Sequence, residues 1–542
     1  MQIFSRSRYF FSFFLILAIA ACQRVQSDNN RLAPLPQDPF VKVYFNHSES
    51  AQYKEPLRQQ TRLGDDLEQQ IVNTISQAKS TVDVAVQELR LPKIAQALVE
   101  RQQAGVKVRV ILENTYSRSW SNQTANELKK LSLREKERYQ EFLKFVDINQ
   151  DNQLSPEEIK QRDALIILQN AKVPWIDDQA DGSAGSSLMH HKFVIVDNRL
   201  MIITSANFTF SDIHGDFTNP SSLGNANNLL QIDSPELAIV FTEEFNLMWG
   251  DGPGGKPDSK FGLKKTLRVP KTIKLDQTQI TVQFSPSSPT QPWNQSSNGL
   301  IGKTLNSANK SIDMALFVFS EQRLANILET RHQQNVPIRA LIDQQFAYRP
   351  YSEALDMMGI TISNKCKYEL DNHPWKNPIT TVGVPILPKG DLLHHKFAVI
   401  DSQTVITGSH NWSDAANHGN DETLIVIENP TVAAHYVREF ARLYTHAKIG
   451  LPSKIQEKIK LTTKQCPKIA TPTSIENQVI QPVNINTASL EELTTLPGVG
   501  KKLAQKIITA RQQKKFTSLQ DLERVPGVSQ KTLAKWQSYI NW

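Results

Sequence analysis

Two segments of the chain repeat one pattern of chemically active side chains, His-x-Lys-x-x-x-x-Asp. The members of the pattern are His190, Lys192 and Asp197 in the first copy, and His394, Lys396 and Asp401 in the second. A histidine can act as a nucleophile or transfer a proton, and a lysine ammonium can hold an anionic oxygen. Residues two apart on a strand point to the same face of a sheet, so the His and Lys of each copy can reach one bound group.

An asparagine lies 17 residues after the leading histidine in both copies, at Asn207 and Asn411. The apolar residues that follow each lysine alternate as they do in a buried strand. A single His-x-Lys pair is most often part of a surface strand. Two copies with matched flanking residues favour a functional role, and we predict two strands that present these side chains at a cleft.

The paired motifs resemble those of the phospholipase D superfamily, and the resemblance extends over about residues 38–447. It implies an α/β fold in which two phospholipase D-like halves, residues 38–250 and 279–447, share one active site. It also implies a phosphodiesterase that needs no cofactor for catalysis. In the family's mechanism one histidine attacks phosphorus to form a phosphohistidine, and the other protonates the leaving group.

The resemblance also implies roles for individual residues. By analogy His190 is the nucleophile and His394 the acid, although the sequence itself does not distinguish the two. The groups implied to hold the non-bridging oxygens are Lys192, Lys396, Asn207 and Asn411. Asp197 and Asp401 have the opposite strand parity from the lysines, which predicts that they organise the structure and do not touch substrate.

Members of the family also carry an acidic residue downstream of each asparagine, which orients a catalytic imidazole. Glu422 matches this position in the second half. In the first half the corresponding residue is an amide, Asn227, and nine extra residues precede it. We therefore expect the two histidines to be tuned unequally, with Asp212 or Asp216 as alternatives for the missing carboxylate.

Strands and helices alternate in the same order in both halves, which indicates an internal duplication. The predicted segments are residues 41–45, 67–78, 82–86, 94–103 and 106–112 in the first half, and 280–284, a helix ending near 308, 312–316, 324–333 and 336–342 in the second. Val82 and Ile312 are 230 residues apart, whereas His190 and His394 are only 204 apart. The first half therefore contains 26 extra residues between its third strand and its motif.

The extra residues contain a loop that resembles an EF-hand, within an insertion at about residues 134–165. The residues expected to bind calcium are Asp147, Asn149, Asp151, Gln153 and Glu158, with Gln153 offering its backbone carbonyl. Asn152 occupies the sixth loop position, where glycine is usual, and asparagine is the next most tolerant of left-handed backbone. The alternative is a polar loop that binds no ion.

The N-terminus has the form of a secretory signal. Arginines precede an apolar run at residues 10–20, which is too short to be comfortable as a membrane span. Cys22 follows in a sequence that resembles the lipobox of bacterial lipoproteins, so residues 1–22 predict an exported protein anchored to a membrane by acylation of Cys22. A plain signal peptide or an uncleaved anchor is the alternative. Cys366 and Cys466 then form a disulfide or remain free thiols.

A small all-α domain is predicted at residues 483–542, after a linker at residues 448–482. Helix, Pro-Gly-Val turn and helix occur twice, which resembles the tandem helix-hairpin-helix of competence-type DNA-binding proteins. The residues expected to contact or closely approach DNA phosphates are Gly498, Gly500, Lys501 and Lys502 in the first hairpin, and Gly527 and Lys531 in the second. A domain that packs on a protein partner is the alternative.

The positive charge is concentrated in the linker and the tail. Residues 448–542 carry 15 Lys and Arg against 6 Asp and Glu, a net charge of +9, whereas the whole chain has a net charge of +7. The preceding residues therefore sum to −2. Sequence-independent attraction to polyanions should accordingly reside in the C-terminal region.

Two substrate classes remain open at this stage. A nuclease would use the tail to bind DNA, whereas a phospholipase D would use the lipid anchor to hold its cleft near membrane phospholipids such as phosphatidylcholine. The tail favours DNA, and the anchor serves either function. A DNA-binding lipoprotein with an inactive body is disfavoured because both motifs retain their His, Lys and Asp residues. The sequence does not indicate an oligomeric state.

Overall fold

Each motif-bearing half folds as a mixed β-sheet with helices packed on it. The computed structural model describes residues 31–183, 187–364, 366–369, 371–466, 483–494, 496, 499–528, 532–533, 536 and 539–542. The first sheet has seven strands and the second has nine. The predicted α/β class is therefore confirmed.

The elements of the first half lie close to their predicted positions. Its strands are β1 Val41–Phe45, β2 Gln52–Lys54, β3 Thr61–Leu63, β4 Thr81–Val86, β5 Lys107–Leu112, β6 Trp175–Asp177, β7 Lys192–Val196, β8 Leu200–Thr204 and β9 Asn228–Asp233. Its helices are α1 Leu67–Ser76, α2 Pro92–Gln103, α3 Ala125–Lys130, α4 Leu133–Val146, α5 Pro156–Arg162, α6 Ala164–Asn170, α7 Phe210–Ile213 and α8 Pro235–Trp249.

The second half repeats this order without the inserted helices. Its strands are β10 Lys271–Leu275, β11 Thr278–Phe284, β12 Ile312–Leu316, β13 Phe319–Ser320, β14 Ile338–Ile342, β15 Val382–Val384, β16 Lys396–Ile400, β17 Thr404–Gly408, β18 Trp412–Ser413, β19 Thr423–Glu428 and β20 Lys448–Ile449. Its helices are α9 Ser297–Asn306, α10 Gln322–Gln333, α11 Glu353–Met357, α12 Asp414–His418 and α13 Pro430–Thr445.

The strand that follows each motif histidine lies inside its sheet. The strand orders are β1-β9-β8-β7-β4-β5-β6 and β10-β11-β19-β17-β16-β12-β14-β15-β20. Lys192 is opposite Val86, and Lys396 is opposite Leu316, in equivalent antiparallel registers. Because β7 and β16 are flanked on both sides by hydrogen-bonded strands, the motif residues at their first positions are held rigidly.

A shared hydrophobic core joins the halves. One buried cluster contains residues of both sheets and of the long helices α8 and α13, among them Phe193, Phe241, Phe397 and Tyr436. Burying each such large apolar side chain stabilises the fold by roughly 1.5–3 kcal/mol. The two motif strands are therefore positioned relative to each other by one core.

The insertion packs against the first half through aromatic side chains. Phe145 of α4 lies 5.5 Å from Phe210 and 5.7 Å from Phe217, between ring centroids. The loop between α4 and α5 has left-handed backbone at Asn152, with φ of 62°. This is the conformation for which glycine is usual and asparagine is tolerated.

The region interpreted as a linker begins with structure that the sequence analysis missed. Helix α14 Ser453–Gln465 follows β20, and Cys466 at its end is bonded to Cys366 in a disulfide. Of the two alternatives left open for these cysteines, the structure contains the disulfide. The first part of the region is therefore tied covalently to the second half.

The C-terminal domain has its own small core, which includes Ile485, Leu493, Ile507 and Trp536. Its elements are β21 Val483–Asn484, α15 Leu490–Leu493, α16 Lys501–Gln513, a 3-10 helix Gln520–Arg524 and β22 Ile540–Asn541. Among the residues that the structure describes, no helix has both the length and the apolar character needed to cross a bilayer. Cys22, with the predicted signal segment, lies outside the described residues.

Candidate active site

Backbone hydrogen bonds between the halves bring the two motifs together. The amide of His190 donates to the carbonyl of Asp421 at 2.9 Å, and the amide of His394 donates to the carbonyl of Ala226 at 3.1 Å. Each catalytic strand is thus anchored at its first residue by a segment of the opposite half. The arrangement is symmetric, so neither half forms the site alone.

The two motif lysines are buried between the histidines. Lys192 Nζ donates to the carbonyl of His190 at 2.9 Å, and Lys396 Nζ donates to the carbonyl of His394 at 2.6 Å. Burial lowers the pKa of Lys192 to about 8. Burial, followed by the charge of Lys192, holds the pKa of Lys396 well below its usual range. An anion bound next to the two lysines would favour the protonated form of both.

A carboxylate of the second half holds the histidine of the first. Glu422 Oε2 lies 2.7 Å from His190 Nδ1 and accepts from Ser409 Oγ at 2.6 Å, and Asn420 Nδ2 donates to Glu422 Oε1 at 3.0 Å. A carboxylate can only accept, so Nδ1 of His190 carries the proton. The lone pair of His190 therefore resides on Nε2.

The equivalent contact in the other half is made by an amide. His394 Nδ1 donates to Asn227 Oδ1 at 3.0 Å, and Ser205 Oγ also donates to that oxygen, at 2.8 Å. Asp212 Oδ1 lies 3.5 Å from the same imidazole nitrogen and accepts from Asn227 Nδ2 at 3.3 Å. Asp212 is thus the carboxylate that substitutes, and Asp216 does not contact His394.

Burial and the neighbouring lysines favour neutral imidazoles. Burial, followed by the charges of Lys192 and Lys396, holds the pKa of His190 well below its usual range. Burial and then Lys396 do the same for the pKa of His394, although the charge of Asp212 opposes them. Each lysine therefore acts electrostatically on the histidines of both motifs, in line with the backbone contacts that bring the two motifs together.

Both predicted asparagines have a buried acceptor oxygen that no described residue uses. The Oδ1 atoms of Asn207 and Asn411 are buried without a hydrogen-bond partner among the described residues. Asn207 also helps to lower the pKa of Asp212, as do the charge of His394 and a bond from Asn225, against the effect of burial. An ionised Asp212 is therefore held among amides beside His394.

A second histidine follows each catalytic one and lies in the core. His191 Nδ1 is 2.8 Å from Thr423 Oγ1, and His395 Nε2 is 3.0 Å from Glu439 Oε1. His191 Nε2 also lies 3.4 Å from Glu244 Oε1. These bonds link each motif strand to a long helix or to the opposite half, which restricts how far the catalytic rings can shift.

The motif aspartates lie at the far ends of the motif strands. Asp197 accepts from the backbone amides of Lys79, Ser80 and Thr81. Asp401 likewise accepts from the amides of residues 309–311. Five residues of strand place them about 16 Å from the lysines. They organise the strand ends, as the strand parity predicts, and do not reach the cleft.

The carboxylates of the loop that is predicted to bind calcium accept hydrogen bonds from backbone amides of the same loop. Asp147 accepts from the amides of Asp151 and Asn152, and Glu158 accepts from the amides of Ile148 and Asn149. The donors that could hold a cation are the predicted Asp147, Asn149, Asp151, the Gln153 carbonyl and Glu158. In the described part of the chain, no three His, Cys, Asp or Glu side chains are grouped to hold a metal ion. Calcium binding stays a prediction.

The predicted DNA-contacting residues are only partly described. Gly500 is the N-cap of α16, which begins with Lys501 and Lys502, and Gly527 has left-handed backbone with φ of 104°. Gly498 and Lys531 lie outside the described residues. The geometry places one glycine and a helix N-terminus together in the first hairpin, as the motif requires.

The chain belongs to the family of phospholipase D-like phosphodiesterases, because two segments, residues 71–249 and 301–444, match the family model described as a cardiolipin synthase, phospholipase D-like domain. These segments contain both motifs and Asn207, Asn227, Asn411 and Glu422. Residues 478–541 match the model of the helix-hairpin-helix motif. The family and the C-terminal motif predicted from the sequence are therefore confirmed.

Individual relatives are similar over shorter regions. The mitochondrial cardiolipin hydrolase of Xenopus laevis is 27% identical over 139 residues, which are 25% of this chain and 56% of that protein. A phospholipase D of Rickettsia typhi is 25% identical over 140 residues, 26% of this chain and 59% of that protein. The chain thus spans little more than half the length of these curated relatives.

Among solved structures, a superposition on the phosphatidylserine synthase of Haemophilus influenzae covers 82% of this chain and 98% of that protein, with 12% sequence identity and a TM-score of 0.47.

Several residues at the site were not identified from the sequence. Ser205 and Ser409 precede the motif asparagines and support Asn227 and Glu422. Their equivalent placement in the two copies is a signal that could have identified them. His410, whose ring nitrogens are buried without a described partner, has no counterpart in the first half, where Ala206 stands.

Proposed function

We propose that the protein is an exported nuclease of the phospholipase D type, which hydrolyses phosphodiesters of DNA captured by its C-terminal domain. The observation that carries the catalytic part is the convergence of two His-Lys-Asn sets, with a carboxylate from each half of the chain beside the histidine of the other half. The helix-hairpin-helix motif and the charge of the tail support DNA as the substrate.

In the first step His190 Nε2 attacks phosphorus. A phosphorus–nitrogen bond forms as the bond to the leaving oxygen breaks, and protonated His394 gives its proton to that oxygen. The hydrogen bond from His190 Nδ1 to Glu422 stabilises the positive charge that develops on the attacking ring. This carboxylate contact supports the assignment of His190 as the nucleophile.

In the second step water replaces the enzyme at phosphorus. His394 takes a proton from water, the hydroxyl oxygen bonds to phosphorus, and the phosphorus–nitrogen bond breaks to restore neutral His190. Lys192 and Lys396 stabilise the equatorial oxygens in both steps, as do the Nδ2 groups of Asn207 and Asn411, which donate hydrogen bonds. Bound phosphate also brings the negative charge that favours protonation of His394, whose pKa is low in the free site.

A phospholipase D that acts on membrane phospholipid is the second candidate. The names of the relatives, a cardiolipin hydrolase and a phospholipase D, favour it. In either case we propose that acylated Cys22 anchors the protein to a membrane on the exported side. A DNA-binding lipoprotein without activity is the third candidate, and the complete motifs argue against it.

The substrate is tested by assaying the full-length protein, and a form without residues 483–542, on duplex DNA and on phosphatidylcholine vesicles. We expect the full-length protein to cleave DNA and the truncated form to cleave it less efficiently. Hydrolysis of phosphatidylcholine without cleavage of DNA would contradict the nuclease proposal and support the second candidate.

A further inference from the structure

Helix α4 of the insertion carries an arginine to the edge of the active site. Arg138 Nη1 is 3.5 Å from Tyr116 Oη, and Nη2 is 4.0 Å from Glu88 Oε2. The guanidinium also lies 5.6 Å from the centre of the Tyr116 ring. The guanidinium thus lies next to Glu88 and Tyr116, and 44% of the side-chain surface remains exposed.

Arg138 is connected to the motif residues through Glu88 and its neighbour in sequence, Gln87. Glu88 follows Gln87, whose Oε1 is 3.4 Å from Lys192 Nζ. Burial lowers the pKa of Arg138, but the charge of Glu88, the contact with Tyr116 and, more weakly, the charge of Asp212 together raise it on balance. Arg138 therefore shares with Lys192 a carboxylate neighbour, Glu88, whose charge acts on both, and its charge also interacts with that of Asp212, the carboxylate near His394.

The second half has aromatic groups at the equivalent positions. The counterparts of Gln87 and Tyr116, identified by their matching backbone hydrogen bonds, are Phe317 and Phe346. These rings are 4.7 Å apart, and Lys396 Nζ lies 5.0 Å from the Phe317 ring centre. The insertion has no equivalent there, so the cleft has one side with an exposed guanidinium and one lined by partly buried aromatic rings.

We propose that Arg138 binds the phosphate adjacent to the scissile phosphodiester, on the first-half side of the cleft. This inference rests on the proposed nuclease function and specifies its substrate as a strand with successive phosphodiester linkages. An arginine fork is suited to a phosphate by geometry and by its permanent charge. Phosphatidylcholine carries one phosphate and leaves Arg138 without an anion to bind.

The test uses full-length protein and four small substrates, because substrates this short do not depend on capture by the C-terminal domain. The substrates are a thymidine trinucleotide, the trinucleotides with one linkage replaced by an uncharged methylphosphonate, and bis(p-nitrophenyl) phosphate. Arg138→Ala is compared with Lys144→Ala, which removes one charge from an exposed position of the same helix.

We expect Arg138→Ala to lower kcat/KM about tenfold on the all-phosphate trinucleotide, mainly through KM, as for one charge-assisted hydrogen bond. One of the two methylphosphonate substrates should be cleaved equally by wild type and Arg138→Ala, and bis(p-nitrophenyl) phosphate should be hydrolysed equally by both. Lys144→Ala should behave as wild type on every substrate.

The inference is overturned if Arg138→Ala leaves trinucleotide cleavage unchanged, lowers activity on all substrates alike, or is matched by Lys144→Ala. A wild-type protein that hydrolyses phosphatidylcholine or cardiolipin vesicles but no trinucleotide would overturn both this inference and the nuclease proposal. A wild type that cleaves the trinucleotide while Arg138→Ala has no effect would overturn the role of Arg138 alone.

Discussion

His190 Nδ1 and Glu422 Oε2 are 2.7 Å apart, although they belong to different halves of the chain. The equivalent imidazole, His394, meets the neutral Asn227 at the position where Glu422 stands in the other half. A carboxylate makes the attacking nitrogen of His190 more basic and stabilises its positive form, whereas an amide chiefly fixes orientation. The duplicated site is therefore chemically asymmetric: Glu422 contacts His190 directly, whereas the carboxylate nearest to His394 Nδ1, Asp212, lies 3.5 Å away beside Asn227.

The first prediction concerns the two histidines separately. His190→Ala and His394→Ala should each reduce turnover on DNA by roughly 10⁴-fold or more, because nucleophile and acid act in one site. With a p-nitrophenyl leaving group, which needs no proton, His394→Ala should still accumulate a phosphoryl-enzyme detectable by mass spectrometry. Substantial DNA cleavage by either variant would contradict a shared site.

A second prediction tests the contact between the halves. Glu422→Gln should lower kcat by about 10²–10⁴-fold with little change in KM, because the developing charge on His190 loses its partner. Glu428→Gln is the matched control, since it lies at the exposed end of the same strand β19. Equal activity of the two variants would show that Glu422 does not act on the nucleophile.

The third prediction concerns the pH dependence set by Asp212. Its charge opposes the lowering of the pKa of His394, so Asp212→Asn should lower that pKa further. Because the acid must be protonated, the alkaline limb of the kcat profile should move to lower pH. Asn227→Asp adds a carboxylate beside His394 and should move the limb to higher pH. Unchanged profiles for both variants would exclude a role in proton transfer.

The sequence predicted features that neighbouring residues determine, but it did not predict contacts between residues far apart in the chain. The period-2 pattern around Lys192 and Lys396 predicted both motif strands because neighbouring residues determine it. The family resemblance implied that Glu422 orients a catalytic imidazole, but Glu422 and His190 are far apart in sequence, so only the fold showed that this imidazole is His190. Asp212 was one of two alternatives until α7 placed its side chain beside His394.

Helix α14 was not predicted from the sequence, and the reason is also physical. Its sequence is rich in lysine and lacks a wide apolar face, so periodicity gave no strong signal. The disulfide between Cys366 and Cys466 fixes its C-terminal end to the second half. Arg138 was likewise not singled out, because a charged residue on an exposed helix face has no distinguishing pattern until its neighbours are known.

A fourth prediction addresses the loop between α4 and α5. Calorimetry should detect calcium binding with a Kd of about 10⁻⁴–10⁻³ M, the range of extracellular sites. In the calcium-bound protein the Glu158 carboxylate would bind the ion in place of the backbone amides of Ile148 and Asn149. Glu158→Gln removes this carboxylate and should weaken calcium binding about tenfold or more. The neighbouring Glu157→Gln, which alters an exposed side chain, is the control. Absence of calcium binding to the wild type would refute the prediction.

The last prediction concerns the C-terminal domain. Removing residues 483–542 should weaken binding to duplex DNA and flatten its dependence on salt, because fewer counterions are released when fewer phosphates are contacted. Hydrolysis of bis(p-nitrophenyl) phosphate should remain unchanged, since its contacts are to residues of the two halves. This difference separates DNA capture from catalysis.

Gly500→Val tests the same domain without changing its charge. A Cβ at this position would meet no described atom within 4 Å, so the fold should tolerate the substitution. The side chain would nevertheless occupy the space through which a phosphate approaches the N-terminus of α16, and DNA affinity should fall about tenfold with circular dichroism unchanged. If the truncated protein and Gly500→Val both bind DNA with the affinity and salt dependence of the wild type, the tail does not capture DNA, and phospholipid becomes the favoured substrate.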